Sequence, residues 1–272
     1  MSFLKNIGQG IKKRISSLFK NPYKEVNLNR YKLTIYKHLS AGKLRKHRLE
    51  GKYIYFYRPI EFLHGLKEIF IDKIYFQQLP KNAYIIDCGA NIGLSVIYLK
   101  KIAPEASIIA FEPDDKNFEL LQKNINSFNF KNVTLKKEAV WVENTVLNFL
   151  NDASMSSKVD ENNSPSSIKV QASRLKDLLK KKIDFLKIDI EGAEYKVLCD
   201  IEENLYNVDK LFLEYHGKFH EQNELTHIFS ILSKNGFKYY IKEAASLYNQ
   251  PFYKRKEELT YDIQLNIFCF RS

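Results

Sequence analysis

Tyr84-Ile85-Ile86-Asp87-Cys88-Gly89-Ala90-Asn91-Ile92-Gly93-Leu94-Ser95-Val96-Ile97-Tyr98-Leu99 is the stretch that decides the fold. A short apolar run ends in an acid, two glycines follow four apart, and an apolar, helix-like segment begins at once. The order is strand, tight turn, helix start. A residue without Cβ lets the main chain pass close to a ligand. The free N–H groups of a helix start favour negative charge. The stretch therefore predicts a nucleotide-type cofactor loop in an α/β protein.

Dinucleotide folds use a related loop with three glycines, G-x-G-x-x-G. Here the third glycine is missing and Asp87 stands two residues before the first. A carboxylate there repels a pyrophosphate and suits a cationic or amine-bearing ligand. S-adenosylmethionine carries a sulfonium, an ammonium and one carboxylate, so it fits both the acid and the helix start. The next apolar run, Ser107-Ile108-Ile109-Ala110-Phe111, ends at Glu112-Pro113. A carboxylate at the end of the second strand is where such folds grip ribose hydroxyls. Glu112 lies nineteen residues beyond Gly93, close to the expected spacing of about 20. A third strand over Val133–Lys137 is followed by Glu138, which either flanks the adenine or is an ordinary solvated residue.

The chemistry falls later in the chain. In Lys187-Ile188-Asp189-Ile190-Glu191 a period of two puts Lys187, Asp189 and Glu191 on one side. Leu211-Phe212-Leu213-Glu214-Tyr215-His216-Gly217 repeats the design with Glu214 and His216. Polar groups at the carboxyl ends of apolar strands lie where open α/β sheets bind ligands. If the two strands are neighbours, Asp189, Glu191, Glu214 and His216 share one crevice. His216 or Asp189 then takes a proton from an acceptor hydroxyl, while Glu191 and Glu214 orient the acceptor. In the competing version Asp189, Glu191 and His216 hold Mg²⁺, which acidifies that hydroxyl. Lys187 is unusual in an apolar strand and is expected to pair with a carboxylate.

Taken together, Asp87 to Gly93, Phe111-Glu112-Pro113, Lys187 to Glu194 and Glu214-x-His216 resemble the FkbM family of methyltransferases. The resemblance implies a class I, Rossmann-like methyltransferase fold. Its sheet is mostly parallel and seven-stranded, with helices on both faces and an antiparallel last strand. It implies S-adenosylmethionine-dependent O-methylation, often of sugars or natural products. By resemblance, Asp87, Gly89, Asn91 and Gly93 line the methionine end and Glu112, with Pro113, holds the ribose. Asp189 and Glu191 come near the transferred methyl. The expected acceptor is a sugar or glycan hydroxyl, lipid-linked or close to a membrane. A small natural product or lipid headgroup is the alternative. A nucleic-acid methyltransferase is disfavoured because Lys187-Ile188-Asp189-Ile190-Glu191-Gly192 lacks the Asn/Asp-Pro-Pro-aromatic pattern that cradles a base amine. The missing third glycine opposes a NAD-dependent oxidoreductase, and the intact acids oppose a non-catalytic membrane adaptor.

Charge is placed very unevenly along the 272 residues. Residues 1–50 hold 13 Lys/Arg against 2 Asp/Glu, while the remainder is balanced, so the whole excess of +11 belongs to the N-terminal extension. A neutral catalytic region speaks against a nucleic-acid partner, which needs phosphate contacts. Within the extension Phe3, Leu4, Ile7, Ile11, Ile15, Leu18 and Phe19 recur at helical spacing among lysines. That pattern predicts a basic amphipathic helix over residues 1–21 that lies on an anionic membrane surface or, alternatively, packs on the domain or a protein partner with its basic face solvated. Cys88, Cys199 and Cys269 form an odd set without C-x-x-C spacing, which points to a reduced, cytoplasmic compartment. Peripheral attachment would then be to the inner face of the plasma membrane. The expected division is this helix, a hairpin and helix platform or lid over 22–80, and a catalytic domain over 81–272.

Smaller signals complete the layout. Glu50-Gly51 predicts a hairpin turn. Pro59 predicts the start of a helix carrying Leu63, Leu66, Phe70 and Ile74. Phe118, Leu121 and Ile125 mark one core helix; Leu225, Ile228, Phe229 and Leu232 mark another that stops at Asn235-Gly236. Asp152 to Ser167, rich in Ser and Asn, lies between strand-like Val146–Leu150 and Ile168–Ala172 and is read either as a surface hairpin loop or as a loop that closes over the acceptor, with Ser154, Met155 and Ser156 as the residues to probe. Asp262 to Phe270 is expected to be the antiparallel last strand.

Overall fold

The computed structural model describes residues 21–150, 167–248, 250–253 and 260–271. The amphipathic helix expected at the start of the chain and the loop from 152 to 166, with Ser154, Met155 and Ser156, lie outside the described residues. A seven-stranded sheet organises the molecule. Its strands are β3 (Tyr84–Cys88), β4 (Ser107–Phe111), β5 (Val133–Lys136), β9 (Phe185–Ile188), β10 (Lys210–Gly217), β11 (Lys238–Glu243) and β12 (Ile263–Phe270). Across the sheet they run β11-β12-β10-β9-β3-β4-β5. All neighbours pair in parallel except β12, which is antiparallel to both β10 and β11. This is the class I methyltransferase arrangement. The strand order reverses between β3 and β9, so their carboxyl ends open a crevice at the switch point.

Period-two alternation explains the layering. Ile85 packs into a core with α3 (Leu94–Ile102) and α4 (Asp115–Phe128), whereas Ile86 packs into a second core with α5 (Glu194–Ile201) and α6 (Gln222–Lys234). Strands covered on both faces read as continuous apolar runs. The α4 stripe of Phe118, Leu121 and Ile125 and the α6 residues Ile228 and Leu232 are buried where the spacing puts them. Asp114 caps α4 by accepting from the Asn117 amide at 2.8 Å.

The first core extends into the N-terminal part of the chain. Helix α1 (Arg30–His38) and the hairpin of β1 (Arg45–Leu49) and β2 (Lys52–Phe56) pack there, with Leu49, Ile54 and Phe56 buried beside Ile97 and Leu121. Glu50 and Gly51 both take positive φ, 50° and 82°, as a tight two-residue turn requires. Asn124 of α4 ties the hairpin down by accepting from the Tyr55 amide and donating to the carbonyls of Tyr55 and Ile92. The helix expected from Pro59 is α-helical only to Gly65, as α2 (Pro59–Gly65), and continues as a π-helical turn over Leu66–Ile71. Ile74 lies beyond it, which corrects the expected length. Three further strands, β6 (Ala139–Trp141), β7 (Thr145–Leu150) and β8 (Ser167–Arg174), form a small sheet, β7 and β8 pairing as the expected hairpin.

Candidate active site

A cavity of about 1180 Å³ lies along the carboxyl ends of β4, β3, β9 and β10. Of the residues singled out from sequence, Gly89, Asn91, Glu112, Pro113, Glu138, Lys187, Asp189, Glu191 and Glu214 line it. Asp87, Gly93 and His216 stand behind its wall. The wall is completed by residues that sequence reasoning assigned no role, among them Tyr57, Arg58, His64 and Glu68 of the N-terminal part.

The part of the cavity around Glu112 is built from backbone. Asn91 takes φ 48°, a left-handed conformation that asparagine tolerates, which points its N–H at Glu112 Oε2, 2.8 Å away. The Asp114 amide donates to the other carboxyl oxygen at 3.0 Å. Burial pushes the Glu112 carboxyl up to about 7, although the amides of Asp114 and Asn91 pull it down. Glu138 is held by Lys136 at 3.3 Å and by the Ser173 hydroxyl.

Gly89 lines the cavity and has a second reason for being glycine. Its φ is 88°, and a Cβ would overlap the carbonyl oxygen of Asp189 on the adjacent strand end. Gly93, at the start of α3, likewise leaves room for Leu121 of α4. Both glycines let elements of the protein meet.

Asp87 is wholly buried and does not itself border the cavity. Its Oδ2 accepts from the Ser95 hydroxyl at 2.5 Å, and its Oδ1 lies 3.4 Å from the Lys187 ammonium. Lys187 also donates to the Gly89 carbonyl at 2.7 Å and to Asp189 Oδ2 at 3.0 Å. Burial works against its charge, yet Asp189 and Asp87 outweigh it and hold the ammonium well above its ordinary range. With its donors committed, Lys187 is a positioning residue, the pairing expected of a lysine in an apolar strand.

The other half is a network of charges. His216 Nδ1 lies 3.0 Å from Glu194 Oε1, and Nε2 lies 3.6 Å from Glu214 and 3.8 Å from Glu191. Burial favours the neutral ring, but Glu194 first, then Glu191 and Asp189, overcome it and lift His216 to about 10. That shift favours the protonated ring, so as a proton acceptor His216 would first have to give up its proton to the surrounding acids. Burial pushes Glu214 well above the usual carboxylate range, and negative Asp189 reinforces the shift.

Glu194 is the residue sequence reasoning passed over. It accepts from the amides of Ile190 and Gly192 at 3.1 Å each and so pins the turn in which Glu191 takes φ 57°. The Tyr261 hydroxyl donates to the Glu191 carbonyl at 2.7 Å from the far end of the chain. An acid in the first turn of α5, two residues after Gly192, was a readable signal for the first of these contacts. Nothing in the sequence pointed to the second.

Residues 87–239 match the family described as the Methyltransferase FkbM domain. The chain belongs to the FkbM methyltransferase family. This FkbM chain is similar to Methyltransferase 1 of Beauveria bassiana (strain ARSEF 2860). The two are 30% identical over 183 residues, covering 57% of this chain and 73% of that protein. Methyltransferase sdnD of Sordaria araneosa is 29% identical over 196 residues, covering 57% of this chain and 71% of that one. Among solved structures it is similar to the methyltransferase FkbM from Methylobacillus flagellatus KT, at 16% identity and a TM-score of 0.48. That match covers 73% of this chain and 46% of the longer one.

Mg²⁺ does not fit the FkbM site. Asp189, Glu214 and His216, and not the expected set with Glu191, bring donor atoms within 4.8 Å of one another. Mg²⁺ requires a shell of oxygens in near-octahedral geometry. Here one of the three donors is a ring nitrogen, whose partner nitrogen is engaged by Glu194, and Asp189 Oδ2 is engaged by Lys187. Among the described residues no helix is long and apolar enough to cross a membrane.

Proposed function

We propose that the protein is an S-adenosylmethionine-dependent O-methyltransferase acting on a hydroxyl of a sugar or glycan. The observation that carries this reading is the meeting, in one cavity, of buried Glu112 with the acids Asp189, Glu191 and Glu214. Each Glu112 oxygen accepts one backbone N–H and keeps a lone pair for a ribose hydroxyl. The start of α3 carries no side-chain cap, so its amides suit the donor's carboxylate. Three carboxyl groups next to the reacting centre suit its positive charge. The donor supplies an already activated methyl.

What remains for this chain is alignment and proton removal. Alignment contributes up to several kcal/mol, and a general base contributes roughly 10²- to 10⁴-fold. Asp189 is the base in this reading: Lys187 fixes one carboxyl oxygen and the other faces the acceptor hydroxyl. His216 and Glu194 are positioning residues that hold Glu191 and Glu214 in place. Carboxyl groups and the ring of Tyr57 suit a polyhydroxylated acceptor, over which residues 22–80 form a roof.

Calorimetric titration with S-adenosylhomocysteine is the first test, and no measurable binding would remove the donor assignment. Mass spectrometry of glycans from cells with and without the protein tests the acceptor. The expected difference is one CH₂ per modified residue; identical glycan masses would remove the sugar.

A further inference from the structure

Helix α1 carries apolar side chains on two opposite sides, one of them turned away from the core. Leu33 and Tyr36 are half-buried against the hairpin, and Tyr36 contacts His47, Phe56 and Phe62. On the opposite side Tyr31 is 75% exposed and Ile35 37% exposed, one turn apart. Lys32 and Lys37 flank them and are exposed. The loop after the helix continues the pattern with exposed Lys43 and Leu44, and Lys46 of β1 lies beside the half-exposed Tyr53 ring. Residues 21–48 carry eight Lys/Arg against one acid, Glu25, and that acid is paired with Lys73 at 3.5 Å. Two exposed apolar side chains in a ring of lysines match a surface that is apolar beneath and negative on top.

We propose that the outer face of α1 and the loop that follows it dock on an anionic lipid bilayer. Charge complementarity selects that occupant: basic residues are drawn to anionic headgroups while tyrosine and isoleucine reach the acyl boundary. An aromatic ring with a polar tip is suited to that boundary. The loop also joins the surface to the site, since Ala41 and Gly42 line the active-site cavity and Lys43 and Leu44 face outward. Docking therefore sets one rim of the cavity against the membrane, and the enzyme takes an acceptor carried by a lipid. That consequence for the acceptor rests on the methyltransferase reading above; the docking does not.

Vesicle flotation of the full chain tests it, with phosphatidylcholine alone against phosphatidylcholine mixed with phosphatidylglycerol. The intact chain should float with the mixed vesicles and stay behind with the neutral ones. The double variant Lys32→Glu with Lys37→Glu should partition at least about tenfold more weakly, and Tyr31→Ser with Ile35→Ser should weaken it at low and high salt alike. Equal flotation of the intact and substituted chains overturns the proposal, as does retention by a nucleic acid or an acidic protein in place of vesicles. S-adenosylhomocysteine titration of each variant shows that it is folded and should be unchanged, because none of the four residues touches the cavity. Lost binding there in the intact chain would count against the enzyme reading and leave the docking result standing.

Discussion

The two halves of the active-site rim hold their carboxylates by opposite means. At the end of β4, Glu112 is satisfied by two main-chain amides from neighbouring turns, and Lys187 acts on it only as the last and smallest influence. At the ends of β9 and β10, Asp189, Glu191, Glu194 and Glu214 share two cations, Lys187 and His216. A carboxylate held by backbone is placed by local geometry and is ready for neutral hydroxyls. Carboxylates held by shared protons and ammonium groups are coupled, so altering one moves the others. The donor half is thus built as a fixed grip, and the other half as a charge balance that a positive reactant can tip.

The sharpest way to separate the halves is Asp189→Asn. It should lower kcat by roughly 10²- to 10⁴-fold while S-adenosylhomocysteine affinity stays within about threefold, measured by labelled-methyl transfer to glycans beside calorimetry. A parallel collapse of affinity would join the two halves into one unit.

Gly89→Ala probes the seam between them. A side chain there meets both an unfavourable φ and the Asp189 carbonyl, so urea unfolding should show a loss of about 3 kcal/mol or failure to fold. Gly51→Ala is the control: its φ is 82° with nothing within 4 Å, and it should cost only about 1 kcal/mol. Equal costs would show that strain alone matters at Gly89.

Glu112→Gln tests the fixed grip. Loss of charge-assisted bonds to the ribose should weaken S-adenosylhomocysteine by roughly 10- to 100-fold, with little change at Asp189. Unaltered affinity would remove Glu112 from the donor site.

The last test is a slope with pH. His216 is raised from its ordinary 6.5 to about 10 in the fold, so its stabilisation is complete below pH 6.5 and is lost as pH climbs through 10. Stability should fall by at most about 1.4 kcal/mol per pH unit across that window. His216→Gln should flatten the slope relative to the intact chain in urea titrations at pH 6, 8 and 10. Identical slopes would break the charge-balance account.

Much of this was legible from the chain alone, for an identifiable reason. Apolar runs of period two, the Gly89 and Gly93 turn and the stripe of α4 are local patterns. Glu112 was legible because its position at a strand end is itself the signal. His216 was legible as part of the site, but the acids that raise its proton affinity were not, because Glu194 and Glu191 lie in and after the turn that follows another strand. Glu68 and Tyr57 went unnoticed since their stretch carries no motif, and only packing against the sheet brings them to the cavity. Only part of the reason for Gly89 was legible, since the carbonyl it makes room for belongs to residue 189.

By itself the sequence determined the elements, the family and the acids at the strand ends, because these depend on neighbours within a few residues or on a repeated period. Tertiary structure decided which acids share a cation, which ring is protonated and which N-terminal residues wall the cavity. Those properties depend on distances between strands β3, β9 and β10, which are far apart along the chain, and on burial, which no single segment possesses before the sheet has formed.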